Sequence, residues 1–185
     1  MPKPPAADMQ DAPHEVREIY DAALRGDPAA VRDMLARRPE LLAAFLVHYG
    51  TVGSRLDRRT YEIVYLRVST MNGCEPCVRA HRESSQWVGL TAQHWQALEA
   101  GDSSPFDLAE QAALGFAEKL TREPQTVEAA DVAGLKKYLS AEQAVDLQLL
   151  VELAKLSSRL QDPLEVDLRG PAVKVSLKPN TKSGS

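Results

Sequence analysis

Apolar residues recur along most of this chain at helical rather than strand spacing, and the breaks between helical runs fall at capping residues, glycines and prolines. The pattern predicts helices over roughly 14–25, stopped by Gly26, and 27–38, with Asp27 as N-cap and Pro28 as first helical residue. Pro39 opens a third, through Leu41 to Tyr49. Asp57 offers the cap for a helix reaching Met71, where Asn72 and Gly73 form a stop. In that segment Tyr61, Ile63, Val64, Tyr65 and Val68 are β-branched or aromatic, so a strand competes. The spacing of Tyr61, Val64, Tyr65, Val68 and Met71 favours the helix, and no other alternating run precedes Pro163. Further helices are expected from Cys74 to Val88, ended by Gly89, from the cap Thr91 to just before Gly101, and from Asp107 to Thr121. Another should run from Thr126 or Val127 to Leu139. Ser140 and Gln143 make a capping box before Val145, Leu147, Leu149, Leu150, Leu153 and Leu156, a helix to about Leu160. Being apolar on nearly every side, it should be central or at a subunit interface.

The ends read differently. Residues 1–13 hold four prolines and few apolar groups, and are expected to be a disordered arm. Residues 14–162 form the expected helical domain. In the tail, 163–185, Leu164, Val166 and Leu168, then Val173, Val175 and Leu177, alternate as two extended segments before a disordered end.

Composition agrees with one all-α domain: 185 residues, 44% hydrophobic but only 5% aromatic, rich in good helix formers. A net charge of −4, with the basic doublets Arg37-Arg38, Arg58-Arg59 and Lys136-Lys137 scattered among acids, argues against a nucleic-acid partner. The longest apolar run, Leu41 to Val47, is far short of the roughly 20 residues that span a bilayer, so no membrane association and a cytoplasmic location are expected. Two cysteines in a domain of this size are not a stapling framework. In a reducing compartment a C-x-x-C is catalytic or metal-binding.

Those cysteines, Cys74 and Cys77, lie in the densest chemistry of the chain, the run from Glu62 to His81. On a helix beginning at Cys74, residues 74, 77 and 81 share one face, which brings two sulfurs and an imidazole together. The helix N-terminus favours a thiolate there, and Pro76 is tolerated in the first turn. Glu62 and Ser69 share a face of the preceding helix two turns apart. A charge inside so apolar a segment needs a partner, and His81 is the natural one, with Ser69 or a water between them.

Glu62, Ser69, Asn72, Cys74, Cys77, Ala80 and His81 together resemble the alkylhydroperoxidase D-like branch of the carboxymuconolactone decarboxylase superfamily. The resemblance covers twenty residues of motif and, through the succession of helices, residues 15–160. It implies an all-α helical bundle and a homo-oligomer, a trimer or hexamer, that reduces hydroperoxides with electrons from a thiol or dithiol reductant. It implies that Cys77 attacks the peroxide and Cys74 closes the disulfide, while Glu62 and His81 relay protons and Ser69 and Asn72 support them. No cofactor and no metal is implied. Some members carry a histidine directly before the second cysteine; this chain has Pro76 there, which keeps thiol–disulfide exchange open as an alternative.

Three other readings compete. Cys74, Cys77, His81 and Glu62 could ligate structural zinc. A thioredoxin-like enzyme would need alternating strands and helices that the pattern does not provide. A binding or assembly protein could retain a vestigial site. Outside the motif, Trp87 is expected to pack in the core or wall the pocket, and His14, His48 and His94 are given no functional partner.

Overall fold

The computed structural model describes residues 38–161, and every regular element in them is helical. The helices are α1 (Pro39–Gly53), α2 (Arg58–Met71), α3 (Glu75–Ser85), α4 (Ala92–Ala100), α5 (Leu108–Arg122), α6 (Ala129–Leu135) and α7 (Ala141–Gln161). Short 3-10 turns cover Gln86–Val88 and Pro124–Thr126. The helices expected over 14–25 and 27–38, the N-terminal arm and the extended tail lie outside the described residues.

The chain divides into two compact units, one of residues 1–48 with 165–185 and one of Tyr49–Leu164. Of the first, only 38–48 are described, as the opening turns of α1. The second holds the site. Its centre is α2, packed against α3, α4, α5 and α7. Every residue from Thr60 to Ser69 is buried, so α2 is enclosed on all sides, as the aromatic and β-branched content of that segment demands. The segment is a helix, not a strand. Asp57 starts it by accepting a hydrogen bond from the Thr60 amide at 2.9 Å. Leu147, Leu150, Val151, Leu153 and Ala154 of α7 complete the core with Ala113, Leu114 and Ala117 of α5.

Polar contacts fix the inner helices in place. Arg67, buried in α2, donates to Glu118 of α5 at 2.7 Å and to the Leu98 carbonyl of α4 at 2.8 Å. Gly101 makes room for it: a Cβ there would lie 2.7 Å from Arg67 Nη2, and its φ of +74° also favours glycine. Arg59 reaches Glu110 at 2.6 Å, the residue that closes the capping box of α5 with Asp107.

Three local expectations are corrected. The helix expected from 126 to 139 shrinks to α6, because Pro124–Thr126 forms a separate turn and a capping box of Glu128 and Asp131 starts the helix later. The helix expected to run to Val88 tightens to 3-10 after Ser85 before Gly89 turns left-handed, φ +79°. Trp87 sits on that turn and is 90% exposed, so it neither packs in the core nor walls a pocket.

Candidate functional site

Two consecutive helix ends build the site. At the C-terminus of α2, Asn72 is the cap and Gly73 takes φ +69°, which reverses the chain within two residues. The Cys74 amide then bonds back to the Ser69 carbonyl at 3.0 Å, and Cys74 becomes the N-cap of α3. Glu75 and Pro76 begin that helix, with proline in the first turn where its missing N–H costs nothing. Cys77 follows, and His81 lies one turn beyond it. Cys74 and Cys77 are joined as a disulfide with Cα atoms 5.3 Å apart, and both are buried.

The imidazole of His81 is held on three sides. Its Nδ1 lies 2.7 Å from Glu62 Oε2, a direct contact with no Ser69 between. Its Nε2 lies 3.1 Å from the Tyr49 hydroxyl. The Tyr65 ring stacks on its face, with centroids 3.7 Å apart and planes 17° from parallel. Glu62 has no exposed surface. Arg58, one turn earlier on α2, brings a guanidinium nitrogen to 2.5 Å from its other oxygen, a charge contact without hydrogen-bond alignment. Arg58 also covers the Tyr61 ring, 4.9 Å from its centroid. A buried carboxylate between a guanidinium and an imidazole is compensated at both oxygens.

The tyrosines around this pair stay phenols. Burial, then neighbouring charges and hydroxyls, pushes the Tyr49, Tyr61 and Tyr65 hydroxyls well above their usual range. Glu62 Oε2 faces Nδ1 and the Tyr49 hydroxyl faces Nε2, so both ring nitrogens have a polar partner.

Glu62 and His81 therefore meet across α2 and α3, and Cys77, bonded to Cys74, lies one turn before His81 on α3. Ser69 and Asn72 stand apart from the imidazole. Ser69 is wholly buried with its hydroxyl unpaired, and the Asn72 amide donates to Ser158 of α7 at 3.4 Å. Sequence reasoning missed Tyr49, Arg58 and Tyr65. Arg58 and Tyr65 had a signal, since both lie within one turn of Glu62 on the same helix. His94, expected to have no partner, closes the N-terminus of α4: its Nδ1 lies 3.1 Å from the Thr91 amide and 2.9 Å from the Thr91 hydroxyl. Among the described residues no group of three or more His, Cys, Asp or Glu side chains is placed to hold a metal ion. No helix among them is long and apolar enough to cross a membrane.

Known proteins share this arrangement of helices. The chain is 33% identical over 103 residues to the uncharacterised protein YdfG of Bacillus subtilis, which covers 55% of the chain and 70% of that protein. A peroxidase-related protein from Silicibacter superposes with a TM-score of 0.71 at 25% identity, over 85% of this chain and 88% of its own. A putative antioxidant defence protein AhpD from Agrobacterium tumefaciens superposes with a TM-score of 0.61 at 26% identity, over 65% of this chain and 85% of its own. Residues 39–119, which hold α1 to α4, Glu62, both cysteines and His81, match the sequence model of one family. The chain belongs to the carboxymuconolactone decarboxylase family, with AhpD-like helical proteins as its structural relatives.

Proposed function

We propose that the protein is a thiol-dependent peroxidase that reduces hydroperoxides through Cys74 and Cys77. The observation that carries this reading is the Cys74–Cys77 disulfide at the start of α3, one turn from a histidine held by a buried carboxylate. Two relatives described as peroxidase-related and as an antioxidant defence protein support the same class of chemistry.

In the reduced protein Cys77 lies in the first turn of α3, where free amides and the helix dipole favour its thiolate. The thiolate sulfur attacks one peroxide oxygen and the O–O bond breaks. The alcohol leaves with a proton, and Cys77 becomes a sulfenic acid. The Cys74 sulfur then displaces water from that sulfenic acid and closes the disulfide. A thiol or dithiol reductant returns two electrons and two protons. Glu62 and His81 move the protons that these steps require.

Stopped-flow mixing of reduced protein with cumene hydroperoxide, followed by a thiol count, tests this. Two thiols should be lost per hydroperoxide, faster than free cysteine reacts. Equal rates would remove the peroxidase reading. Cys77→Ser should abolish turnover, while Cys74→Ser should leave one trappable sulfenic acid; the reverse pattern would exchange the two roles. Pro76 within the C-x-x-C favours one second reading, exchange with protein disulfides, in which reduced thiols would ignore the hydroperoxide but open a disulfide substrate. We further place the protein in the cytoplasm, where a reducing poise keeps such a pair cycling. We also propose a homo-oligomer, supported by the exposed Val145, Leu149 and Leu156 on α7.

A further inference from the structure

Two contacts at the edge of the His81 ring do not by themselves fix its plane. Nδ1 lies 2.7 Å from Glu62 Oε2 and Nε2 lies 3.1 Å from the Tyr49 hydroxyl, so both contacts act at the ring nitrogens. The torsion that turns an imidazole about its Cβ–Cγ bond is broad and roughly two-fold, and hydrogen bonds resist rocking out of the plane only through their angles. A contact on the face resists it directly. Tyr65 supplies one, with rings 17° from parallel and centroids 3.7 Å apart. Tyr61, at 5.9 Å and 45°, offers a tilted ring and no such face.

We infer that Tyr65 is a positioning residue: its ring fixes the plane of His81 and so keeps Nδ1 on Glu62 and Nε2 on Tyr49. To turn over, the imidazole would have to sweep through the space that the Tyr65 ring fills. Turning over would exchange each nitrogen for a ring carbon and break both edge contacts. Tyr65 makes and breaks no bond, and acts only through His81. Its consequence for the rate rests on the peroxidase reading proposed above; the fixed plane does not.

The placement of Tyr65 along the chain makes the grip rigid. Glu62 and Tyr65 lie three residues apart on α2, so one helix presents a carboxylate to an edge of the imidazole and a ring to its face. Both belong to the buried run from Thr60 to Ser69, and His81 is buried against them. A group held by an enclosed regular element keeps its geometry more closely than one held by a loop. The phenol is anchored in turn. The Tyr49 ring packs edge-on against it with centroids 6.0 Å apart, and the hydroxyls of Tyr49 and Ser157 neighbour its own. His81 draws its hydrogen bonds from Glu62 and Tyr49, so what Tyr65 gives it is the ring and not the hydroxyl.

Tyr65→Phe keeps the face and removes the hydroxyl, whereas Tyr65→Leu removes the face. In single-turnover mixing of reduced protein with cumene hydroperoxide, the phenylalanine variant should oxidise within about twofold of the parent and the leucine variant roughly tenfold more slowly. A merely structural role would make each rate follow the variant's loss of thermal stability; positioning makes it follow the ring, so phenylalanine rescues what leucine loses. Proton NMR of the parent with its disulfide closed gives a second readout that needs no folded leucine variant. The shielding zone over the Tyr65 face should move the carbon-bound ring protons of His81, assigned by their loss in His81→Gln, upfield of those of free histidine. The phenylalanine variant should keep that shift. His81 protons at free-histidine positions in the parent would overturn the inference, as would equal rates for the two variants when the parent outpaces free cysteine. Upfield protons in a parent that oxidises no faster than free cysteine would leave the fixed plane standing and remove the peroxidase reading instead.

Discussion

A carboxylate with no exposed surface keeps its charge only when something answers it, and Glu62 is answered by Arg58 on one oxygen and His81 on the other. Glu62→Gln preserves volume but leaves His81 without its charged partner. Thiol oxidation by hydroperoxide should then slow by about 100-fold in single-turnover mixing, and a change under twofold would take Glu62 out of the relay. The phenols give a pH prediction. Burial raises the Tyr49, Tyr61 and Tyr65 hydroxyls, so the folded chain holds protons that an unfolded chain releases above about pH 10. Their contribution to stability is complete below that pH and is lost progressively above it, as pH rises through the raised values of the folded chain. In an alkaline titration followed by tyrosinate absorbance, these three of the five tyrosines should ionise only as the protein unfolds. At this scale the sequence announced the motif residues, because Glu62, Cys74, Cys77 and His81 sit at fixed helical offsets. Tyr49 gave no such sign. It stands 32 residues from His81 on another helix, and only tertiary packing brings the two together.

Elements were legible where a cap or a stop fixed their ends. Asp57, Asp107, and Ser140 with Gln143 each begin a helix where capping chemistry predicts one. Asp107→Ala should therefore cost about 1 kcal/mol in denaturant unfolding, through the lost bond to the Glu110 amide at 2.8 Å. Periodicity failed where the helix changed pitch. After Ser85 the chain tightens to a 3-10 turn, so helical spacing no longer sets which side a residue faces, and Trp87 is left in solvent. Residues 126–139 failed for another reason: the apolar spacing is continuous there, but Glu128, not a usual N-cap type, decides where helix begins. The α7 helix was legible as an apolar element and only in part as a buried one. Leu150 is fully enclosed, so Leu150→Ala should cost about 2 to 5 kcal/mol in the same unfolding measurement. Leu149, beside it in sequence, is exposed.

For the whole molecule, helical class and the absence of any strand among the described residues followed from composition and spacing. The central place of α2 did not, since Arg59 and Arg67 are held by Glu110 and Glu118, 51 residues away on α5, which spacing along the chain does not reveal. Assembly belongs to this scale too. Sedimentation should find one species larger than the chain, and Leu149→Glu should shift it toward the monomer; a monomeric parent protein would end the homo-oligomer proposal.

The disulfide spans only four residues, Cys74 to Cys77 inclusive. Tying so short a loop restricts an unfolded chain little, by about 2 kcal/mol against about 4.7 kcal/mol for a loop of 100 residues. The bond therefore contributes little as a cross-link, and reduction should leave the helix content by circular dichroism intact. In the proposed cycle, hydrophobic burial would hold the helices in place while the bond opens and closes, so the oxidation state would change many times within the lifetime of one folded molecule.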